Sequence, residues 1–270
     1  MTLIITALSE NVAIQVSDRR LTLNNGSIDD DLAIKAICVS CVDASFCIAY
    51  TGLAKIGSRR TDEWVVDYLA SINAGELGFT ELFDSLQKQV ASTFRGLRHL
   101  GRVRGITFAF AGCGRPGPFM GLLSNVEDGK GNWLRDIDDN FQAGFYVRND
   151  KPMRKLDLMI NGTENAIETF DAAIPEIRKR YLDKSPEKIV AVLVQLIRKA
   201  AEHPKVGYMI GRNCMSAIVN PTGDFSCQDY PEKDSPQQYM PHLILRGAVY
   251  KGPQMWTGSG APPWWTENKS

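Results

Sequence analysis

The chain has 270 residues, which allows one large domain or two small ones with a sizeable buried core. Its composition is globular, with 44% hydrophobic residues, 23% charged residues and a formal net charge of zero, so we expect no nucleic-acid partner bound mainly through phosphates. No apolar run approaches the roughly 18 residues that cross a bilayer, so we expect no membrane partner either.

The chain begins with two alternating apolar runs, residues 3–8 and 12–17, separated by a short polar stretch. Alternation interrupted in this way is typical of a β-hairpin. The first strand starts directly after Thr2, and the second ends at Asp18 and Arg20. Because the strands of a hairpin run in opposite directions, we expect Asp18 to return to the end of the sheet where Thr2 lies.

A polar loop follows, and then a series of strands and amphipathic helices. We predict strands at residues 36–40 and 46–50 and then helices at 64–72 and 82–97. Strands follow again at residues 106–111, 119–126 and 141–147. A further short strand reaches Thr163, and a third helix is predicted over residues 167–181, where Pro175 indicates a kink or a late start. Ser185 and Pro186 predict the start of a fourth helix, as N-cap and first helical residue.

Residues 214–219 and 243–250 are predicted to form closing strands. The order is therefore strands, two helices, strands, two helices and strands, without regular βαβ alternation, which suits antiparallel sheets covered by helices. We expect residues 1–250 to form a single domain and residues 251–270 to form a C-terminal tail rich in Pro, Gly and Trp. The tail either docks on a partner through its tryptophans or packs back on the domain.

Four landmarks in the first 52 residues resemble the N-terminal-nucleophile (Ntn) hydrolases, specifically the proteasome β-type subunits and their bacterial relatives. Thr2 matches the family's nucleophilic threonine, and Asp18 matches its structural aspartate at the same separation. Lys35 matches its lysine with one residue of slippage, and Gly52 matches the glycine turn that supplies its oxyanion hole. The resemblance covers residues 2–225 and implies an α+β fold, a four-layer αββα sandwich of two antiparallel sheets flanked by helices.

The chemistry that the resemblance implies needs Met1 to be removed, which leaves a hydroxyl and a free α-amine on Thr2. Lys35 would lower the pKa of that amine toward neutrality, with Asp18 as its counter-charge. Gly52 would donate its backbone N–H to the oxyanion. The alternative for Lys35 is a side chain that reaches solvent at a strand end, with Asp18 as a plain turn residue.

Three more site residues follow from the resemblance. Thr163 takes the place of a family serine that lies after a glycine, and Arg20 and Tyr50 are the expected substrate-binding residues, Tyr50 at a position that resembles the family's specificity pocket. The family's second acid and second serine are absent, because this chain reads EHPKVGY over residues 202–208. His203 is either a polar substitute for them or a surface histidine.

These observations predict a cytoplasmic, proteasome-like threonine protease that forms a homo-oligomer and requires no cofactor or metal. The alternatives are an Ntn-type amidohydrolase acting on a small amide and a catalytically silent assembly subunit. Whether an unfoldase or another protein partner feeds the enzyme stays open. The six cysteines are too sparse for a disulfide framework and are expected to be free thiols, and the GCGRPG run over residues 112–117 is expected to be a hairpin turn rather than a nucleotide-binding loop.

Overall fold

A computed structural model of the chain describes residues 2–22, 27–99, 105–130, 132–148, 155–162, 170, 173–252 and 254–256, with the backbone alone at 98–99 and 254–256. The first half contains β1 Ile4–Leu8, β2 Ala13–Asp18, β3 Leu21–Thr22, β4 Ile28–Asp30, β5 Ile37–Ser40, β6 Ala44–Thr51, β7 Lys55–Ile56, β8 Arg59–Arg60, α1 Thr61–Ser71, α2 Phe79–His99, β9 Thr107–Gly114 and β10 Gly117–Ser124. The second half contains β11 Gln142–Val147, β12 Asp157–Asn161, α3 Ile174–Arg180, α4 Pro186–Ala200, β13 Cys214–Val219, β14 Phe225–Tyr230, β15 Gln237–Met240, β16 His242–Leu245, β17 Ala248–Tyr250 and β18 Gln254–Trp256.

Two seven-stranded sheets form the centre of the fold. The first has the order β12-β1-β2-β13-β14-β15-β18, and the second has the order β11-β10-β9-β6-β5-β16-β17. Neighbouring strands are antiparallel except for β5 and β16. The predicted αββα sandwich of antiparallel sheets flanked by helices is therefore confirmed, and so is the first hairpin, in which Ile4 pairs with Ser17.

The first hairpin is buried on both faces because successive side chains of a strand point to opposite sides. In β1, Ile5 and Ala7 pack with the α3–α4 layer, whereas Ile4 and Leu8 belong to clusters between the two sheets. Every residue of β1 and β2 is consequently buried, including polar ones such as Thr6. Polar groups on the inner face therefore lie away from water.

The helices cover the outer faces with apolar stripes of the predicted width. In α2, Leu82, Leu86 and Val90 pack on the second sheet, and in α4, Leu193 and Ile197 pack on the first. Pro175 lies at the second residue of α3, so its late start, one of the two predicted outcomes, is what the structure has. None of the described helices combines the length and apolar content needed to cross a bilayer.

The closing part of the chain differs from the prediction. The prediction of a single strand over residues 243–250 is wrong. Gly247 adopts a positive φ of 68°, and the chain turns there to form the β16–β17 hairpin. Strands β14 and β15 were not predicted, since their sequences alternate weakly. Within the segment predicted as a tail, the backbone of Gln254–Trp256 pairs with β15.

Candidate active site

Several strand ends meet at one end of the sandwich. Thr2 directly precedes β1, and Asp18 ends β2, opposite Cys214 at the start of β13. In the other sheet, Lys35 lies two residues before the start of β5, and Thr51 ends β6. The antiparallel order places these ends together, so residues far apart in sequence, such as Thr2 and Thr51, come into contact.

Lys35 is the centre of this cluster. Its Nζ lies 2.5 Å from Thr2 Oγ1, 2.5 Å from the carbonyl oxygen of Arg20 and 3.4 Å from Asp18 Oδ2. A lysine ammonium has three N–H donors, and these three acceptors account for all of them. Thr2 is 3% exposed, and Lys35 and Asp18 are fully buried. The alternative of a lysine that reaches solvent is therefore wrong.

Asp18 holds the cluster in place through backbone amides. Its Oδ1 accepts from the Leu3 amide at 2.8 Å, and its Oδ2 accepts from the amides of Arg20 and Gly211, both at 3.0 Å. One carboxylate thereby connects the start of β1, the end of β2 and the loop before β13. It also supplies the negative charge that a buried lysine requires.

The environment lowers the pKa of Lys35. Burial is the largest cause, because it disfavours the charged form of the side chain. The charge of Asp18 and its hydrogen bond oppose this effect and offset part of it. A buried lysine with a lowered pKa beside a hydroxyl is an arrangement that is found at functional sites.

Thr51 fixes the backbone of Thr2 from the second sheet. Its hydroxyl accepts from the Thr2 nitrogen at 3.1 Å and donates to the Thr2 carbonyl oxygen at 2.7 Å. Gly52 follows with a φ of 107°, and a Cβ at this position would lie 2.2 Å from the Gly105 carbonyl oxygen. Only glycine fits there, and its peptide group lies one residue from the hydroxyl that holds Thr2.

The remaining predicted site residues have different positions. Arg20 lies at the site, where its carbonyl oxygen contacts Lys35 and its guanidinium pairs with Asp31 at 2.6 Å and reaches the carbonyl oxygens of Gly207 and Tyr208. Thr163 lies outside the described residues. The chain before it passes close to Thr2, since a Cβ on Gly162 would lie 3.0 Å from the Thr2 carbonyl oxygen.

The expectation that Tyr50 binds substrate is wrong in this structure. Tyr50 is 1% exposed and packs among the residues under α1 and α2, with its hydroxyl 3.4 Å from Asp62. Strand alternation directs it away from the inner face, to which its neighbour Thr51 points. It therefore lies under α1 and α2, on the opposite face of the sheet from the Thr2 site.

The segment 202–208 contributes no acid to the site. Glu202 pairs with Arg212 at 2.7 Å on the surface, and His203 accepts from the Lys205 amide through Nδ1 at 3.4 Å. Of the two readings of His203, the structure favours the histidine near the surface. The residues that sequence reasoning missed are Thr51 and Gly211. A threonine directly before the proposed oxyanion glycine was the available signal for the first, and Gly211 carried none.

Two other sequence features are resolved by the structure. The run 112–117 is the turn between β9 and β10, as predicted. The six cysteines are free thiols. Among the described residues, no three His, Cys, Asp or Glu side chains gather in a way that could hold a metal ion.

Comparison with known proteins shows a similar fold but does not assign the chain to a family. Neither a protein-family model nor a curated protein sequence matches the chain. The solved structure of the Gly-1 mutant of Anbu from Hyphomicrobium sp. strain MC1 is similar, with a TM-score of 0.57 and 12% sequence identity over 87% of this chain and 89% of that chain. At this identity the similarity shows the fold alone, the two-sheet sandwich described above.

Proposed function

We propose that the chain is a proteasome-like threonine amide hydrolase whose nucleophile is the Thr2 hydroxyl after removal of Met1. The observation that carries this proposal is the 2.5 Å contact between Lys35 Nζ and Thr2 Oγ1, buried between the sheets with Asp18 as counter-charge. A buried ammonium is costly, and burying it against a hydroxyl has a chemical use when that hydroxyl must lose its proton.

The first half of the reaction forms an acyl-enzyme. The neutral α-amine of Thr2, directly or through a water, takes the proton from Thr2 Oγ1 as that oxygen attacks the substrate carbonyl carbon. Lys35 stabilises the developing negative charge on the oxygen and disfavours protonation of the nearby amine. The Gly52 N–H donates to the oxyanion of the tetrahedral intermediate. The C–N bond then breaks, and the leaving amine takes the proton held by the α-amine.

The second half releases the product. A water attacks the ester carbonyl while the α-amine accepts one of its protons. The ester bond breaks, the carboxylic acid leaves, and the proton returns to Thr2 Oγ1. Asp18 and Thr51 do not react in this scheme, because they position Lys35 and the backbone of Thr2 through the contacts given above.

The substrate is a peptide or a smaller amide, and the proposal includes a homo-oligomer because the resemblance is to ring-forming subunits. Arg20 is retained as a residue of the substrate side, since it ties the exposed Tyr208 and the Asp31 segment to the site.

A catalytically silent assembly subunit is the second candidate. It is favoured by the surface positions of Glu202 and His203, which leave the described site without the family's second acid. In this case Lys35 and Asp18 would serve only to join the two sheets.

The deciding experiment treats the purified full-length protein with an electrophilic probe directed at N-terminal threonines. Wild type should be labelled, and Thr2→Ala should not be labelled. Because alanine is also small enough to allow removal of Met1, a retained Met1 would not explain the loss of labelling. Thr6→Ala is the matched control, because Thr6 is also buried in this region and its hydroxyl has no partner among the described residues. It should label like wild type. Equal labelling of wild type and Thr2→Ala would remove Thr2 from consideration and leave the silent subunit.

A further inference from the structure

A second buried carboxyl lies behind the Thr2 site, and the reaction scheme does not use it. Glu127 follows β10 and is 2% exposed. Its Oε1 accepts from the Thr107 hydroxyl at 2.8 Å, and its Oε2 accepts from the Asn161 side-chain amide at 3.0 Å. Its own amide donates to Ser124 Oγ at 2.9 Å. Both carboxyl oxygens are therefore engaged by side chains of the two sheets.

The bond to Asn161 connects Glu127 to the first strand. Asn161 ends β12 directly opposite Ile4, two residues after Thr2. The next residue, Gly162, approaches so closely that a Cβ would lie 3.0 Å from the Thr2 carbonyl oxygen. Asn161 is 1% exposed, and its Oδ1 has no hydrogen-bond partner among the described residues. Among the described residues, the Asn161 side chain is therefore held in place by its hydrogen bond to Glu127.

The bond to Thr107 connects Glu127 to Thr2 by a second route. Thr51, Thr107 and Ser124 lie directly opposite one another on β6, β9 and β10 and form a row of buried hydroxyls. Thr107 and Ser124 are 2.8 Å apart, and Thr51 binds both the nitrogen and the carbonyl oxygen of Thr2. One end of the row therefore holds Thr2, and the other end contacts Glu127.

The charge around Glu127 differs from that around Asp18. Burial raises the pKa of Glu127 and the neighbouring charge of Asp128 adds to this, while the bonds from Thr107 and Asn161 lower it in part. Strands β9, β10 and β12 present hydroxyls and an amide to it, not cations. The two charged side chains of the Thr2 site, Lys35 and Asp18, are paired with each other.

We propose that Glu127 is a positioning residue of the Thr2 site. In the neutral carboxylic acid the 2.8 Å contact with Thr107 Oγ1 is made by the acid O–H, and the Thr107 hydroxyl turns to donate to Ser124 Oγ. In this form Glu127 holds residues 161–162 and the hydroxyl row in place, and it loosens both when it ionises. This inference rests on the proposed function of Thr2. An ionised Glu127 would carry a buried charge without a cation, and water would have to enter to solvate it. The elements that hold Thr2 would then move apart.

The experiment measures the rate of probe labelling against pH for wild type, Glu127→Gln and Glu127→Ala. Wild type should lose rate at high pH through an ionisation that Glu127→Gln lacks, because the amide stays neutral. At the wild-type optimum we expect Glu127→Gln to stay within about threefold of wild type and Glu127→Ala to be at least about tenfold slower. Asp62→Asn is the matched control, since Asp62 is a buried carboxyl at the start of α1, and its pH profile should equal that of wild type.

Two results would overturn the positioning role. One is an alkaline limb in Glu127→Gln that equals that of wild type. The other is a rate of Glu127→Ala that equals that of Asp62→Asn. Hydrogen exchange of the peptide ending at residue 162 serves as a second measurement that does not need labelling. Its exchange, corrected for the intrinsic pH effect, should rise with pH in wild type and not in Glu127→Gln. If wild type is not labelled, the proposed function fails, and the exchange data still decide the role of Glu127.

Discussion

Two polar clusters in this molecule are each built around a buried aspartate, and they differ in the other residues that they contain. The Thr2 site contains Thr2, Asp18 and Lys35. The second, the His242 cluster, contains Asp62, His242 and Arg60 in the outer layer, where Asp62 lies 3.2 Å from both His242 Nε2 and Arg60 Nε. It joins the start of α1 to β16 near the edge of the second sheet.

Two buried carboxyl groups, Asp62 in the His242 cluster and Glu127 near the Thr2 site, have net pKa shifts of opposite sign. Burial raises the pKa of Asp62, but the hydrogen bond from His242 and the charge of Arg60 outweigh it, so the net shift is downward. Burial also raises the pKa of Glu127 near the Thr2 site, and with no cation among its described contacts the net shift stays upward. Shifted pKa values alone therefore do not identify a site. The distinguishing feature of the Thr2 site is a hydroxyl next to the buried cation.

The largest expected effect comes from Lys35→Met. It leaves the Asp18 carboxylate buried without a cation, which should cost about 3–5 kcal/mol of unfolding free energy. It also removes the cation beside Thr2, so probe labelling should fall by at least about 100-fold. Denaturant unfolding and labelling kinetics measure the two effects. The double variant Lys35→Met with Asp18→Asn should recover only part of the stability, because the NH2 group of asparagine cannot accept from the backbone amides that Asp18 binds, and it should recover no labelling.

The counterpart in the second cluster is His242→Ala. It should lower stability, because Asp62 loses a hydrogen bond, and it should leave labelling within about twofold of wild type. If His242→Ala slowed labelling as much as Lys35→Met does, the distinction between the two clusters would be lost.

A smaller effect is expected from Thr51→Val, which removes the hydroxyl that binds both the nitrogen and the carbonyl oxygen of Thr2. Labelling should slow by about tenfold, and Thr51→Ser should restore most of the rate. Thr6→Val is the matched control for loss of a buried hydroxyl, and it should label like wild type. A rate for Thr51→Val equal to that of Thr6→Val would argue against a role of Thr51 in holding Thr2.

Arg20→Lys should have a modest effect. The guanidinium binds Asp31 through two nitrogens and also reaches two carbonyl oxygens, and a lysine cannot reproduce this geometry. We expect labelling to slow by about two- to threefold and to become more sensitive to salt. Arg59→Lys, at an exposed pair with Asp67, should change neither property. Salt titrations of the labelling rate would measure the difference.

The smallest effects concern stability against pH. The pKa of Asp62 is lowered on folding, so its contribution is present above its unfolded pKa and is lost as the pH falls through the folded value. Asp62→Asn should therefore flatten acid unfolding below about pH 4. The pKa of Glu127 is raised, so stability falls as the pH rises above its unfolded pKa, and Glu127→Gln should remove that loss. Denaturant unfolding at a series of pH values measures both changes. The same pH slope in both variants would contradict the opposite shifts.

The sequence was informative where local pattern and chain order decide the structure. The alternation around residues 3–17 is enough to predict a hairpin, and a hairpin of that length must bring Asp18 back to Thr2. Lys35 lies in apolar sequence, and its burial therefore called for a nearby counter-charge. The amphipathic stripes of α2 and α4 likewise give the outer layers.

The sequence-based predictions failed where they depended on which face of a strand a side chain occupies, and where residues far apart in sequence meet. Tyr50 lies close to Gly52 in sequence, yet a two-residue period turns it to the opposite face from Thr51. Glu127 and Asn161 meet only because β10 and β12 end at the same edge of the sandwich, in different sheets. No spacing in the sequence encodes that contact. Strands β14 to β17 are short and partly polar, and their pairing, including the parallel β16, depends on tertiary context.

The most direct test of the central claim is mass-spectrometric mapping of the probe adduct on wild-type protein. Our proposal predicts that the adduct lies on an N-terminal peptide that begins with Thr2 and lacks Met1. An adduct on any other residue, or a labelled protein that retains Met1 in full, would contradict the assignment of Thr2 as the nucleophile.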